Sequence, residues 1–173
     1  MSASSLRLFF ALSCPPRPAQ DLLAWREQAG LGGHWISPDN LHITLAFLDN
    51  QPSERLPALQ ALASQCVSAP FALQLDRLSL LDRRFACLEP TSAPEGLLGL
   101  QAQLAADLTR AGILHESRPY RPHLTLSREC PQLPASEPPS CSWTVSDYGL
   151  YASEQTPQGV RYRCLQRWVL RPD

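Results

Sequence analysis

Residues 39–48 read DNLHITLAFL, and residues 118–128 read RPYRPHLTLSR. Inside them, His42-Ile43-Thr44-Leu45 and His123-Leu124-Thr125-Leu126 are nearly the same tetrapeptide. Each lies in an apolar, β-branched run that reads as a strand. Strand side chains alternate faces, so the His and the Thr two places on share one face. Two copies brought together offer two imidazoles and two hydroxyls. One neutral imidazole can take a proton from water while a protonated one gives a proton to a leaving oxygen. The hydroxyls can donate to non-bridging phosphate oxygens. The attacking and leaving oxygens then lie in line through phosphorus. A strained cyclic phosphodiester suits such a site, and no metal is required.

The rest of the chain supplies a setting for these strands. Leu6–Leu12 reads as a strand, and Pro15–Pro18 breaks it. Ala19–Ala29 fits a helix with Leu22, Leu23, Trp25 and Ala29 around one face, ended by Gly30. Gly32-Gly33 turns the chain into a short strand at His34–Ile36. Leu41–Leu48 is the first motif strand, and Asp49-Asn50 is expected to end it. A helix is expected from Ser53 to about Val67. Phe71–Leu81 then reads as an extended stretch with Arg83–Leu88 as its hairpin partner. Glu95–Ala111 is a helix with Leu97, Leu100, Leu104 and Leu108 on its apolar face. Pro119–Pro122 is rigid and leads into the second motif strand, His123–Ser127. Pro131–Ser140 is a loop. Trp143–Tyr151 and Arg161–Leu170 are two more strands around a turn at Thr156–Gly159. This order implies an α+β fold with antiparallel pairing. Pro38 and Pro119 each stand four residues before a motif His, which suggests a distant internal duplication or two pseudo-symmetric lobes.

Composition narrows the chemistry. The 173 residues fit a single domain, 1–173, built of two lobes. No apolar run approaches the roughly 18 residues a membrane span needs. Leu8–Cys14 faintly resembles a signal segment but reads better as a buried strand. Six scattered cysteines without a Cys-x-x-Cys suggest reduced thiols in a cytoplasmic protein. The net charge of −1 excludes a globally basic nucleic-acid binder, so any anion site is a local pocket. All 15 basic residues are arginine. The absence of lysine excludes a Walker A loop, a Schiff-base enzyme and a lysyl-nucleotidylate ligase.

The four histidines are His34, His42, His115 and His123. They form two pairs eight residues apart, but eight extended residues span about 26 Å, so neither pair can chelate without an intervening turn. No His-Glu-x-x-His pattern occurs. We therefore expect no metal and no cofactor, with His34 and His115 on the surface or in loops.

The motifs and their flanks resemble the 2H phosphoesterase superfamily, named for two His-x-Thr-x motifs. The likeness is greatest to its bacterial RNA 2′,3′-cyclic phosphodiesterase branch, also called 2′-5′ RNA ligase. It extends from Leu6–Leu12 through both motif blocks to Leu150–Ser153, Gly159–Tyr162 and Arg167–Leu170. The resemblance implies two lobes, each an antiparallel sheet with outer helices, around a central cleft. It implies metal-independent hydrolysis of an RNA terminal 2′,3′-cyclic phosphate to a 2′-phosphate, with reverse 2′-5′ ligation. Carried over by position, His42 protonates the leaving 3′-oxygen, His123 activates water, and Thr44 and Thr125 bind the phosphate. Arg128 stands where the family often has Arg and could add charge there. Five residues from His123, an ideal strand faces it away, so it needs a bulge or the strand's end; otherwise it is a solvated edge residue. Phe47 holds the corresponding place after the first motif and reads as core. Tyr120 and Trp35 could stack on a base, or serve only as structure.

The expected partner is RNA with a 2′,3′-cyclic phosphate end or a small cyclic nucleotide, with no membrane and with the chain a monomer. Two alternatives stay open: a phosphodiesterase of small cyclic nucleotides, and a non-catalytic RNA-end-binding module.

Overall fold

The computed structural model describes residues 4–113 and 115–172. Its elements are β1 (Ser5–Ser13), α1 (Pro16–Ala29), β2 (His34–Trp35), β3 (His42–Pro52), α2 (Leu56–Ser64), β4 (Phe71–Leu75), β5 (Arg77–Leu81), β6 (Phe85–Glu89), α3 (Glu95–Arg110), β7 (Leu124–Arg128), β8 (Cys141–Val145), β9 (Asp147–Thr156) and β10 (Gly159–Val169).

Several elements follow directly from local sequence. Pro16 and Pro18 sit in the first turn of α1, where a missing N–H costs nothing, and Gly30 closes it at φ 67°. The buried line of α1 is Ala19, Leu22 and Arg26 rather than the expected face running through Leu23 and Trp25. In α3 all four leucines of the expected stripe are buried. The helix expected from Ser53 is a 3₁₀ turn followed by α2, which stops at Ser64.

Three strands differ from expectation. Asp49-Asn50 does not end β3: Asp49 takes a left-handed φ of 56° inside a register shift, and the strand continues to Pro52. The stretch Phe71–Leu81 divides at Asp76, whose carboxylate accepts the Thr91 N–H at 2.7 Å. A side chain that bonds backbone in this way competes with the ladder. Trp143–Tyr151 divides at Ser146, whose carbonyl accepts the Leu170 N–H at 2.8 Å. These two breaks free β4 and β8 to pair as a separate two-stranded sheet.

The remaining strands form one sheet in the order β10-β9-β1-β3-β7-β6-β5, with β2 added against β7. All its pairings are antiparallel. The motif strands β3 and β7 are neighbours, but they meet at one residue pair, Ile43 opposite Leu124. The sheet is thus two half-sheets hinged on that pair, one holding β10, β9, β1 and β3, the other β7, β6 and β5. Each lobe thus has its antiparallel half-sheet, as the α+β expectation had it, and the two join through that one pair. The C-terminal strands return to the first motif's half.

The three helices cover one face. Leu8, Phe10 and Leu12 of β1 pack there against Leu22, Leu59, Leu97, Leu100 and Leu104. On the other face Phe9, Ala11 and Tyr151 form a small separate cluster with Phe47 and Tyr162. The six cysteines are free thiols, with Cys87, Cys130 and Cys141 buried. Among the described residues, no helix is long and apolar enough to cross a membrane.

Candidate active site

The antiparallel contact of Ile43 with Leu124 arranges the two motifs about a local two-fold axis. Both residues are fully buried on the helix-covered face. Alternation therefore sends His42, Thr44, His123 and Thr125 to the open face. In antiparallel register, His42 lies towards Thr125 and Thr44 towards His123. All four line a single cleft of about 820 Å³.

The last leucine of each motif is a bulge. Ala11 opposes Thr44 and Phe10 opposes Ala46, which leaves Leu45 extra. Cys87 opposes Thr125 and Ala86 opposes Ser127, which leaves Leu126 extra. One extra residue shifts every later side chain to the other face. Arg128 thereby reaches the cleft although it stands five residues after His123. Phe47 does the same after His42 and is a half-buried cleft wall rather than core.

The second bulge has its own support. The Leu126 carbonyl accepts the Ile36 N–H at 2.9 Å and the buried Arg26 Nη1 at 3.0 Å. Arg26 Nη1 also donates to the Ile36 carbonyl at 2.6 Å, and its guanidinium lies 5.1 Å from the Trp35 ring. Trp35 is thus committed to Arg26, and its indole N–H donates to the Leu31 carbonyl. Gly33 passes so close to β7 that a Cβ there meets the Arg128 carbonyl at 2.3 Å. His34 pairs opposite Arg128 at the exposed edge.

Both histidines are held alike. His42 Nδ1 lies 2.7 Å from the Asn40 carbonyl, and His123 Nδ1 lies 2.8 Å from the Arg121 carbonyl. A carbonyl only accepts, so each Nδ1 carries the proton and Nε2 is the nitrogen left without one. His42 Nε2 lies 3.1 Å from Thr44 Oγ1. The residues that supply the carbonyls are themselves tied to neighbouring strands. Asn40 donates its side-chain N–H to the Val160 carbonyl at 2.8 Å and accepts the Tyr162 N–H at 3.3 Å. Arg121 donates through both Nε and Nη2 to the buried Glu89 carboxylate. Burial works to raise the Glu89 carboxyl, but bonds from Arg121 and Arg77 outweigh it and hold it below the usual range.

The surroundings of the two imidazoles differ. His42 packs 5.1 Å from Phe9 and 5.0 Å, nearly edge-on, from Tyr162. Burial holds its pKa below the usual histidine value. The bond to Asn40 opposes this, while the charges of His123 and Arg128 add to it. Arg128 Nη2 donates to the Tyr162 hydroxyl at 3.1 Å and so bridges the half-sheets beside His42. Behind Thr125, Cys87 Sγ lies 3.6 Å from its hydroxyl, and burial pushes that thiol up to about 11.

Tyr120 lines the cleft, with its hydroxyl donating to the Thr44 carbonyl at 2.9 Å. That bond buttresses the first motif from the second motif's approach segment. His115, expected on the surface or in a loop, also lines the cleft. Asn40, Glu89, Arg121, Phe9 and Tyr162 were not singled out from the sequence. Only Asn40 and Arg121 carried a signal, each standing two residues before a motif His. Among the described residues, no group of three or more His, Cys, Asp or Glu gathers as a metal set.

Known proteins are similar to this chain in sequence and in fold. An RNA 2′,3′-cyclic phosphodiesterase of Escherichia coli is 34% identical over 169 residues, covering 95% of this chain and 96% of that protein. One from Thermus thermophilus is 29% identical, covering 96% and 91%. The crystal structure of E. coli LigT complexed with 3′-AMP superposes with a TM-score of 0.87 at 33% identity, covering 96% of this chain and 99% of that one. Residues 14–155, which hold both His-x-Thr-Leu strands, match the 2′-5′ RNA ligase superfamily, and this chain belongs to that family.

Proposed function

We propose that this chain hydrolyses the 2′,3′-cyclic phosphate at an RNA 3′ end to a 2′-phosphate, and that the same groups run the reverse 2′-5′ ligation. The relatives named for that hydrolysis support the reaction. The observation that carries the mechanism is the pair of imidazoles in one cleft, each with Nδ1 locked on a carbonyl and Nε2 left to work.

His123 Nε2 accepts a proton from the attacking water. His42 Nε2 gives a proton to the leaving 3′-oxygen. Thr44, Thr125 and Arg128 hold the non-bridging oxygens, where negative charge accumulates. Burial lowers the His42 pKa in the free protein, so the acid role requires substrate to raise it. A bound phosphodiester anion offsets the repulsion from His123 and Arg128 and so favours the imidazolium. Tyr120 stands in the wall where a base could contact it. All these groups come from one chain, so a monomer suffices, and we place the reaction in the cytoplasm.

The test is an oligonucleotide ending in a 2′,3′-cyclic phosphate, incubated with the protein and a chelator. A 2′-phosphate end is the expected product. His42→Ala and His123→Ala should each slow the reaction by about 10²–10⁴-fold while remaining folded. A 3′-phosphate product, or either variant at near wild-type rate, overturns the assignment of roles.

A further inference from the structure

Arg7 and Phe47 occupy a place in the cleft that hydrolysis does not use. Phe47 is turned into the cleft by the Leu45 bulge, and the Arg7 guanidinium lies 5.2 Å from its ring centroid. Arg7 is exposed and, among the described residues, makes no ion pair. The two-fold arrangement fixes which end of the cleft this pair occupies. Beyond Thr44, β3 runs alongside the segment that precedes His123. The Tyr120 hydroxyl bonds the Thr44 carbonyl, and the Glu116 N–H bonds the Phe47 carbonyl at 3.2 Å. Arg7 and Phe47 therefore stand at the His123 end. Arg128 and Tyr162 stand at the opposite end, beside His42.

In-line geometry gives the two ends different occupants. The ribose that keeps the phosphate also carries the leaving 3′-oxygen, so it lies on the His42 side. The attacking oxygen enters on the His123 side. Water needs no aromatic ring or guanidinium plane there. A nucleoside does: a base stacks on such a surface, and the arginine charge meets the following phosphate. We propose that Arg7 and Phe47 form a subsite on the attacking side for the first nucleoside of an RNA strand with a free 5′-hydroxyl. The inference rests on the phosphodiesterase reading and its assignment of the two histidines.

The step balances without a further reactant. The 5′-oxygen bonds to phosphorus and its proton passes to His123 Nε2. The bond from phosphorus to the 3′-oxygen breaks, and that oxygen takes a proton from His42 Nε2. The product is a 2′-5′ phosphodiester with a free 3′-hydroxyl.

The experiment supplies the full chain with a strand ending in a 2′,3′-cyclic phosphate and increasing concentrations of a second strand with a 5′-hydroxyl. Joined and hydrolysed products are counted together. Joining should saturate with the second strand. Phe47→Leu, which keeps an apolar side chain without a π face, should raise the half-saturating concentration about tenfold, as should Arg7→Ala. Phe47→Tyr should restore the wild-type curve. Joining that never saturates, or a Phe47→Leu curve that overlays the wild type, overturns the subsite while hydrolysis stands. A wild-type protein that leaves the cyclic end intact overturns the phosphodiesterase reading, and the subsite falls with it.

Discussion

Ile43 of the first motif lies directly opposite Leu124 of the second, and this single pair joins the two half-sheets. Both are fully buried, so the contact that closes the sheet also turns the two histidine–threonine pairs into the cleft. Each leucine or isoleucine of this size costs about 2–5 kcal/mol when cut to alanine in a core. Ile43→Ala and Leu124→Ala should both fall in that range by urea denaturation. Because the two side chains pack on one another, the double variant should be non-additive. Additive losses would show that the half-sheets are held apart from this contact.

The pH dependence follows from the unequal surroundings of the imidazoles. Burial, then the charges of His123 and Arg128, keep His42 below the usual histidine value near 6.5 in the free protein. As a general acid it works protonated, so kcat/KM should fall as pH rises through that lowered pKa. In the complex the phosphate anion raises it, so the alkaline limb of kcat should lie at higher pH than that of kcat/KM. Arg128→Gln removes one repelling charge and should move the kcat/KM limb upward. The same lowering predicts that stability contributed by neutral His42 is present above about pH 6.5 and lost below it, since the unfolded chain binds that proton more readily. A His42 ring that titrates at or above 6.5 by NMR in the free protein contradicts both the lowered kcat/KM limb and the stability expectation.

Asn40 and Glu89 position the histidines without touching the reacting atoms. Each fixes the residue whose carbonyl holds an Nδ1–H. Glu89→Gln keeps the shape but removes the negative charge that faces Arg121 and Arg77 and turns one acceptor oxygen into a donor. We expect kcat to drop about tenfold with little change in KM, because orientation rather than substrate binding is lost. Glu89→Asp should recover part of it. An equal rise in KM would mean that the carboxylate serves binding instead.

Arg26 supports the bulge that aims Arg128. It is 1% exposed and donates to the Ile36 and Leu126 carbonyls. Arg26→Met fills the space but leaves the Ile36 carbonyl without that donor, a loss of about 1–3 kcal/mol. Phosphate affinity should weaken alongside stability, as Arg128 loses its fixed place. Full phosphate affinity in a destabilised Arg26→Met protein would separate the bulge from Arg26.

The candidate site residues were legible because strand alternation is a local rule. His-x-Thr puts an imidazole and a hydroxyl on one face wherever the strand goes. The leucine stripe of α3 was equally plain. The breaks at Asp76 and Ser146 were not, because an extended run reads the same whether it stays in one sheet or crosses to another. Nor was the buried place of Arg26 in α1 visible, since a cation in a helix reads as a solvated face until its carbonyl partners arrive from elsewhere in the chain.

Sequence by itself determined the α+β pattern, the two motifs and the absence of lysine chemistry. It also stated the condition on Arg128: the residue needed a bulge or the strand's end to share the face of His123. Tertiary structure decided that the bulge exists and repeats at Leu45 and Leu126, which sets Arg128 and Phe47 at opposite ends of the cleft. It decided too that the motifs cross at Ile43 and Leu124 and that His42 is the more enclosed imidazole. Register, bulges and burial depend on which strand lies alongside, and that is set by packing between residues far apart in the chain.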